Sequence, residues 1–298
     1  MFTPCEICGS DNWHLTIYEG AVRTGSFGTL TEGGKVMRCG GCGADRLNEN
    51  VNMASASYES ADYRIAMAQG LEVEDFFSYA DPTQIYNLSA FWPVDLRGKV
   101  IADIGCGAGS FLSHVSGLAK TIVAIEPTKM YHSSLRERGY DVFSYASDAV
   151  KVHPKGIDVA VTFQVIEHVL NPRFFLSEIA TLLKPGGVLI IATPNRDDIL
   201  MKLLPEDFPP FNYRIAHRWY FDRSSLRNCA ELAGLQVESE RYVQSYGMSN
   251  ALLWIKERRP NGYARLPGID HRADQLWNVY LETTGQANNL FVLARKSK

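Results

Sequence analysis

From residue 99 onward, short apolar runs alternate along the chain with amphipathic segments of helical character. Short apolar runs bounded by turn residues are typical of buried strands, and the amphipathic segments are typical of helices with one buried face. The alternation predicts an α/β fold, a doubly wound sheet of seven mostly parallel strands. The predicted strands cover residues 100–104, 121–125, 140–143, 157–162, 188–192, 235–243 and 289–295.

Two of the predicted helices have recognisable ends. Asn171 and Pro172 are suited to capping and opening the helix before the fifth strand, and the Lys-Pro-Gly-Gly run at 184–187 is predicted to stop it. Asp222 is predicted to cap a later helix that ends at Gly234.

The first third of the chain does not follow this alternation. Residues 1–50 are predicted to form a small module built on a hairpin across 13–18 and 33–38. Residues 51–95 are rich in aromatic residues of mixed pattern, which predicts a helical lead-in that covers the ligand cleft of the main domain.

Residues 96–298 form the predicted main domain, which carries two insertions. Residues 197–220, here called the lid segment, are rich in proline and aromatic residues and are predicted to cover the acceptor. Packing of this aromatic segment on the sheet is the alternative. Residues 244–288 are either a substrate-specific elaboration or a dimer surface, so a homodimer is among the expectations.

Length, charge and hydropathy narrow the class of partner. At 298 residues with 46% hydrophobic content, the chain can hold a catalytic domain and a small accessory module. A formal charge of -3 gives no electrostatic reason to expect nucleic acid or an anionic membrane. The N-terminal residues lack a signal pattern, and no apolar stretch approaches the ~20 residues of a membrane span. We therefore expect a cytoplasmic protein that acts on a small molecule.

Four of the six cysteines form two close pairs, Cys5 with Cys8 and Cys39 with Cys42, and a glycine follows each pair. Two such turns supply four thiolates for a tetrahedral zinc site, and the glycines let the backbone curl around the metal. A four-thiolate site has no open coordination position, so the zinc ion is predicted to be structural. A disulfide framework or a redox pair is the alternative, which the doubled motif and a reducing compartment disfavour.

A glycine-rich turn follows the first strand of the main domain. Gly105, Gly107 and Gly109 let a ligand approach the backbone at the start of the next helix. A dinucleotide-binding turn would have glycine at position 110, where this chain has Ser110, so an NAD-dependent oxidoreductase ranks low. Asp103, just before the turn, is suited to a ligand with a positively charged amino group.

Glu126 and Pro127 follow the second strand at the same edge of the sheet, where the ribose of a nucleotide-like ligand would lie. A carboxylate at this place can accept hydrogen bonds from both ribose hydroxyls. An exposed glutamate at a strand end is the alternative, and the nearby Asp103 and glycines disfavour it.

Asp103, the glycines and Glu126 are the first of several motifs that extend over roughly residues 85–240. In order and spacing the series resembles the motifs of class I S-adenosylmethionine-dependent methyltransferases, which have a Rossmann-like fold. The resemblance implies S-adenosylmethionine as cofactor, with Asp148 at its adenine amino group and Gln164 beside its methionyl portion. A loop aspartate and a capping glutamine are the alternatives. The motifs are Asp103 to Gly109, Glu126, Asp148-Ala149, residues 164–169 and residues 183–187.

Glu167 and His168 lie just beyond the fourth strand, where the resemblance places the methyl group beside the acceptor. An imidazole with a pKa near ~6.5 can take the proton of an acceptor hydroxyl. Capping or packing of the next helix is an equal alternative. The segment is also similar to ubiquinone-pathway O-methyltransferases, in which Glu-x-x-Glu-His can hold a divalent ion, but Gln164 replaces the first glutamate and disfavours a metal.

The lid segment supplies His217 as a second candidate base. Its neighbours Arg218, Trp219 and Tyr220 are candidates for lining the acceptor site with it.

A zinc module ahead of such a domain is similar to the N-terminal two thirds of bacterial sugar C-methyltransferases. We therefore expect methyl transfer to a hydroxyl or carbon of a sugar or secondary metabolite. A zinc-ribbon RNA methyltransferase is one alternative, but residues 1–50 hold four basic residues against six acidic ones, whereas an RNA-gripping module should be basic. A non-catalytic cofactor-binding protein is the other alternative.

Overall fold

The computed structural model describes residues 2–25, 28–53, 57, 60, 62–66, 71–89 and 94–297. Its strands are β1 (Trp13–Arg23), β2 (Leu30–Cys39), β3 (Asp45–Leu47), β4 (Val100–Ile104), β5 (Thr121–Ile125), β6 (Asp141–Phe143), β7 (Ile157–Phe163), β8 (Leu183–Pro194), β9 (Trp219–Tyr220), β10 (Leu235–Val243) and β11 (Asn289–Lys296). Its helices are α1 (Asp62–Ala66), α2 (Val73–Ala80), α3 (Gln84–Ser89), α4 (Ser110–Val115), α5 (His132–Glu137), α6 (Ala146–Val152), α7 (Pro172–Leu182), α8 (Ile199–Leu203), α9 (Pro209–Asn212), α10 (Arg223–Leu232), α11 (Met248–Glu257) and α12 (His271–Thr284).

The larger sheet has seven strands in the order β10-β11-β8-β7-β4-β5-β6. The strands from β6 to β8 run parallel, and β11 is inserted antiparallel between β8 and β10. This arrangement confirms the predicted seven-stranded, mostly parallel α/β sheet. The chain builds outward from β4 to β6, then returns to β7 on the other side of β4. Ligands of doubly wound sheets bind at such a reversal, beyond the carboxyl ends of the strands.

The fifth strand of this sheet is longer than the sequence predicts. The prediction has helix α7 stopping at 184–187 and the strand covering 188–192, whereas α7 ends at Leu182 and β8 runs from Leu183 to Pro194. The ladder between β7 and β8 pairs Ile157 with Leu183 and then Val159 with Val188. The Lys-Pro-Gly-Gly run therefore bulges out within the strand, because the pairing resumes on both sides of it.

The smaller sheet has the order β1-β2-β3-β9, and its hairpin strands are longer than the predicted 13–18 and 33–38. Strand β9 belongs to the lid segment, and it pairs with β3 through Asp45 with Tyr220 and Arg46 with Trp219. The N-terminal module is therefore completed by a strand from far along the chain. A separate apolar cluster supports this sheet, formed by Val22, Val36, Leu47, Tyr213 and Tyr220.

The segments flanking the site are helical where the structure describes them. Helices α1 to α3 come from the predicted lead-in, of which residues 54–56, 58–59, 61, 67–70 and 90–93 lie outside the described residues. The insertion at 244–288 forms α11 and α12. Within the described ranges, no helix combines the length and the apolar character that crossing a membrane requires.

Candidate active site

The turn between β4 and α4, residues 105–109, is here called the glycine turn. Gly105 and Gly107 have φ of 82° and 55°, a left-handed conformation that glycine adopts without strain. A Cβ on Gly105 would lie 2.4 Å from Cγ2 of Val165, and a Cβ on Gly107 would lie 2.4 Å from the ring of Phe76. The glycines therefore allow both the sharp turn and the close approach of neighbouring groups.

Glu126 ties the end of β5 to the glycine turn. The residue is buried, and its two carboxylate oxygens accept hydrogen bonds of 2.8 Å from the backbone N–H groups of Gly107 and Thr128. The alternative of an exposed strand-end glutamate is wrong. A carboxylate can accept about four hydrogen bonds, so further acceptor capacity remains for a ligand. Pro127 is half-buried between Glu126 and Thr128.

Asp103, the next-to-last residue of β4, is buried below the glycine turn with only 4% of its surface exposed. No described residue donates a hydrogen bond to its carboxylate. Burial, with a further contribution from the negative charge of Glu126, raises the pKa of Asp103 to about 8. A buried carboxyl group without a donor, beside a second carboxylate, is suited to bind a cationic group.

Arg64 of α1 lies beside the glycine turn, and the sequence analysis did not identify it. Its guanidinium stacks 4.6 Å from the ring centroid of Phe76 and 4.9 Å from that of Tyr131. One of its terminal nitrogens lies 3.3 Å from where a Cβ of Gly107 would stand. The only sequence signal was the aromatic character of the lead-in, because nothing local marks one arginine as reaching the turn.

Of the other predicted cofactor residues, Asp148 is half-buried and Gln164 is exposed. Asp148 lies in the first turn of α6, and its carboxylate pairs with the ammonium of Lys151 at 2.8 Å. Gln164 follows β7 in a left-handed conformation with φ of 57°, and its side-chain amide donates to Oδ1 of Asn289 at 3.2 Å. The predicted contacts of both residues with the cofactor remain predictions.

Glu167 is buried at the carboxyl end of β7. Its Oε2 accepts a hydrogen bond from the hydroxyl of Thr193 at 3.0 Å, whereas Oε1 has no hydrogen-bond partner among the described residues. Burial raises the pKa of Glu167 to about 7. Its backbone carbonyl accepts from the N–H groups of Arg218 and Trp219, which fixes the lid segment against this residue.

His168 lies beside Glu167 with its tautomer set by the lid segment. Nδ1 is 2.6 Å from the carbonyl oxygen of Ala216, so we assign the ring proton to Nδ1 and the lone pair to Nε2. Nε2 is 3.8 Å from Oε1 of Glu167. Burial lowers the pKa of His168 to about 4, so the ring is neutral at physiological pH and is a weaker base than a solvated imidazole.

His217 completes the cluster from the lid segment, with its ring centroid 4.8 Å from that of His168. Burial, and then the positive charge of Arg214, lowers the pKa of His217 well below its ordinary value. Ligand atoms of Glu167, His168 and His217 lie within 4.8 Å of one another, a spacing that can hold a metal ion. The charge of Arg214 acts on all three groups and opposes a divalent cation.

The other predicted lid residues do not line this cluster as expected. Arg218 pairs with Glu6 and, at 3.3 Å, with Glu49 of the N-terminal module. Trp219 is fully buried, and its indole N–H donates to the carbonyl of Val169 at 3.1 Å. For these two side chains the structure favours the alternative of packing over facing the acceptor, because carboxylates of the N-terminal module hold Arg218 and the core cluster holds Trp219. Tyr220 is buried beside His217 at 6.0 Å between ring centroids.

The four N-terminal cysteines come together at one point. Sulfur atoms of Cys5 and Cys42 lie 3.6 Å apart, as do those of Cys8 and Cys39, and all four lie within 4.8 Å of one another. These distances exclude a disulfide here. Sulfurs bound tetrahedrally at ~2.3 Å from a zinc ion would lie ~3.8 Å apart, so the thiols fit the predicted ion.

Comparison with known proteins identifies the family. A family model described as a methyltransferase domain matches residues 77–240, more than half of the chain. The chain belongs to this methyltransferase family. Among its relatives, the ubiquinone biosynthesis O-methyltransferase of Thiobacillus denitrificans is 29% identical over 164 residues, 48% of this chain and 67% of that protein. The enzyme of the same name from Caulobacter vibrioides is 36% identical over 107 residues, 34% of this chain and 42% of that protein.

The matched stretch therefore spans less than half of one relative and about two thirds of the other. Solved structures are also similar to the chain. A SAM-dependent methyltransferase of Thermotoga maritima has a TM-score of 0.49 at 21% identity, covering 75% of this chain and 94% of that one. One of Archaeoglobus fulgidus has a TM-score of 0.49 at 17% identity, covering 75% and 97%. The fold of the methyltransferase family is assigned here from the sheet order and the family match.

Proposed function

We propose that the protein transfers a methyl group from S-adenosylmethionine to a hydroxyl or carbon of a small molecule. The observation that carries this proposal is the pair of buried Glu167 and half-buried His168 just beyond the carboxyl end of β7. Strand β7 is adjacent to β4, the strand that carries the glycine turn. The cofactor, when bound, supplies an electrophilic methyl group. The O-methyltransferases among the relatives favour a hydroxyl as the acceptor.

The residues around the glycine turn are suited to hold the cofactor. Asp103 would bind its amino group, because this buried carboxyl group has no donor among the described residues. Glu126 would bind the ribose hydroxyls with the acceptor capacity that its two backbone bonds leave. Arg64 would bind the cofactor carboxylate, since it is the cation beside Gly107. Asp148 and Gln164 keep the adenine and methionyl roles that the resemblance implies, and Pro127 shapes the wall beside the ribose.

The chain's own contribution to the chemistry is proton acceptance and exclusion of water. His168 accepts the proton of the acceptor at Nε2, because Nδ1 is committed to the carbonyl of Ala216. Glu167, when ionised, stabilises the resulting imidazolium through Oε1, 3.8 Å away. His217 closes the other side of this pocket and stays neutral.

We further propose that the four cysteines bind a structural zinc ion. The ion would close the hairpin of β1 and β2 onto β3, because Cys39 ends β2 and Cys42 lies just before β3. Its chemistry would be structural alone, since the four thiolates complete a tetrahedral site.

We propose a more specific class of acceptor than the family match by itself indicates. A sugar or a secondary metabolite is proposed, as in the resemblance to sugar C-methyltransferases. Three of the four basic residues of the N-terminal module, Lys35, Arg38 and Arg46, pair with carboxylates within the module, which does not favour RNA. A homodimer through α12 is also proposed, on the basis that Leu276, Val279 and Tyr280 are exposed on that helix.

The test is incubation of the full chain with S-adenosylmethionine carrying a labelled methyl group and a panel of hydroxylated sugars, sugar phosphates and phenols. We expect label in one acceptor class and formation of S-adenosylhomocysteine, both abolished in His168→Ala. Cofactor binding by calorimetry without transfer to any class would favour the non-catalytic alternative. No cofactor binding would overturn the proposal.

A further inference from the structure

Two arginines stand side by side near the Glu167–His168 pair, and they are here called the arginine pair. Arg23 ends β1, and Arg214 faces it across an isolated parallel bridge. Hydrogen bonds of 2.9 Å join the N–H of Arg23 to the carbonyl of Tyr213 and the N–H of Ile215 to the carbonyl of Arg23. The side chains of bridged residues lie on the same side of the backbone, so the two positive charges are held close together.

The arginine pair has no carboxylate partner among the residues that the structure describes. The Nε atoms of Arg23 and Arg214 are buried and donate to no acceptor among the described residues. The same is true of Nε in Arg46, Arg196 and Arg218, so the arginine pair differs from these three in lacking a carboxylate partner. Arg23 stacks on the ring of Phe211 at 4.3 Å, which does not neutralise its charge. Burial, and then the charge of Arg214, lowers the pKa of Arg23 to about 9. Placing two like charges together at a half-buried site is costly unless an anion joins them.

Other buried arginines of the protein have their positive charge balanced by neighbouring carboxylates. Arg46, Arg196 and Arg218 have side chains that are at most 8% exposed. Each of them pairs with two carboxylates, drawn from Glu6, Glu49, Asp45 and Asp222. Among the described residues, these three arginines have directly paired carboxylates. Glu167 feels the charge of Arg214 but forms no ion pair with it, so we expect a ligand to supply the anion that joins the arginine pair.

The arginine pair is adjacent to the proposed proton acceptor. The N–H of His217 donates to the carbonyl of Arg214 at 3.0 Å, and the His217 ring contacts that of His168. The N–H of Arg214 donates to the hydroxyl of Tyr220 at 3.0 Å, which fixes its backbone. An anion bound by the arginine pair therefore lies beside the place where the acceptor would react.

We propose that the arginine pair binds a phosphate or diphosphate group of the methyl acceptor, so that the substrate is a phosphorylated small molecule. This inference rests on the proposed methyltransferase function. Each guanidinium can form two parallel hydrogen bonds to phosphate oxygens. A phosphoryl group carries up to two negative charges and balances both arginines, whereas a carboxylate balances one.

The test is calorimetric titration of the full chain at low ionic strength with inorganic pyrophosphate as the probe. We expect wild type to bind pyrophosphate, and Arg214→Gln and Arg23→Gln to bind it at least ~10-fold more weakly, the effect of losing a charged hydrogen-bonding partner. Arg214→Lys should bind with intermediate affinity, because it keeps the charge and loses the fork. The matched control is Arg97→Gln, which removes an exposed arginine before β4, at the opposite edge of the sheet.

Two further measurements, thermal unfolding and cofactor binding, distinguish loss of the phosphate site from misfolding and from failure of the proposed methyltransferase function. Each arginine variant should unfold at or above the wild-type temperature without ligand, because a like-charge contact is removed, and should bind S-adenosylmethionine as wild type does. Equal pyrophosphate affinity in wild type and Arg214→Gln, or acetate binding as tight as pyrophosphate, would overturn the phosphate site. Failure of wild type to bind S-adenosylmethionine, with pyrophosphate binding intact, would overturn the methyltransferase function instead.

Discussion

Buried carboxyl groups dominate the site at the scale of single residues. Asp103 and Glu167 both have pKa values raised by burial, to about 8 and about 7. A raised carboxyl pKa stabilises the folded protein below the ordinary value and withdraws that stability as pH rises through the shifted value. The unliganded protein is therefore expected to lose stability between about pH 4 and pH 8, the window between the ordinary and shifted values.

Asp103 should release its proton when the cofactor's cationic amino group binds. Asp103→Asn is expected to weaken S-adenosylmethionine binding by roughly tenfold, because a charged hydrogen bond is lost. At pH 7 the wild-type protein should release more protons on binding than the variant does. Calorimetry in two buffers of different ionisation enthalpy measures that difference. Identical proton release by the two proteins would contradict the assignment, and Asp95→Asn, on the exposed turn before β4, is the control.

Glu167 should set the pH dependence of turnover with the acceptor found in the panel. The rate is expected to rise with pH through about 7 as this carboxyl ionises, and Glu167→Gln should remove that limb and slow turnover at least ~10-fold. Cofactor affinity is expected to stay unchanged. A pH profile of Glu167→Gln that still rises through 7 would assign the ionisation to another group.

At the scale of elements, strand β9 fixes the position of the lid segment. It is two residues long, yet it joins the lid segment to β3 and places Trp219 in the interior, packed in the same core cluster as Phe221. Because His217 lies just before β9, the position of this histidine depends on the pairing of β9 with β3. The C-terminal end of the lid segment is therefore fixed to the N-terminal sheet and is not a mobile loop over the site.

Trp219→Ala should lower the free energy of unfolding by about 3–5 kcal/mol, the usual cost of truncating a large buried aromatic residue. Urea denaturation followed by circular dichroism measures the change. Val152→Ala, at the end of α6, removes a side chain that is 62% exposed and should change the stability by less than about 0.5 kcal/mol. A cost for Trp219→Ala no larger than that of the control would show that β9 is not packed as described.

At the scale of the whole molecule, both sheets contribute residues to the proposed site. The N-terminal sheet contributes Arg23, and the lid segment that completes this sheet contributes Arg214 and His217. Of the residues proposed to bind the cofactor, Asp103 lies in β4 of the other sheet and Glu126 directly follows β5. Acceptor binding and cofactor binding are thus expected to respond differently to damage in the N-terminal module.

Removal of the proposed zinc ion tests whether damage to the N-terminal module affects the lid segment and leaves cofactor binding unchanged. Chelation, or Cys39→Ser, should speed hydrogen exchange at the amides of residues 217–219, which bond to the carbonyls of Arg214 and Glu167, while S-adenosylmethionine affinity stays unchanged. Cys229→Ala is the control, because it removes a buried thiol outside the cluster. Loss of the metal without faster exchange at 217–219 would show that the module does not support the lid segment.

The sequence by itself determined what depends on local rules. Strand and helix periodicity predicted the seven-stranded sheet, and the turn chemistry of residues 105–109 with Asp103 and Glu126 predicted one side of the site. The cysteine pairs predicted a four-thiol cluster. Each of these signals lies within a few residues of the group it describes.

Only the tertiary structure decided which distant residues meet. His217 joins His168, Arg23 faces Arg214, and Arg64 reaches the glycine turn through contacts between segments far apart in the chain. Arg218 and Trp219 turn away from the site because β9 pairs with β3. No local pattern specifies such pairings, since they follow from how the packed sheets and helices bring separate segments together.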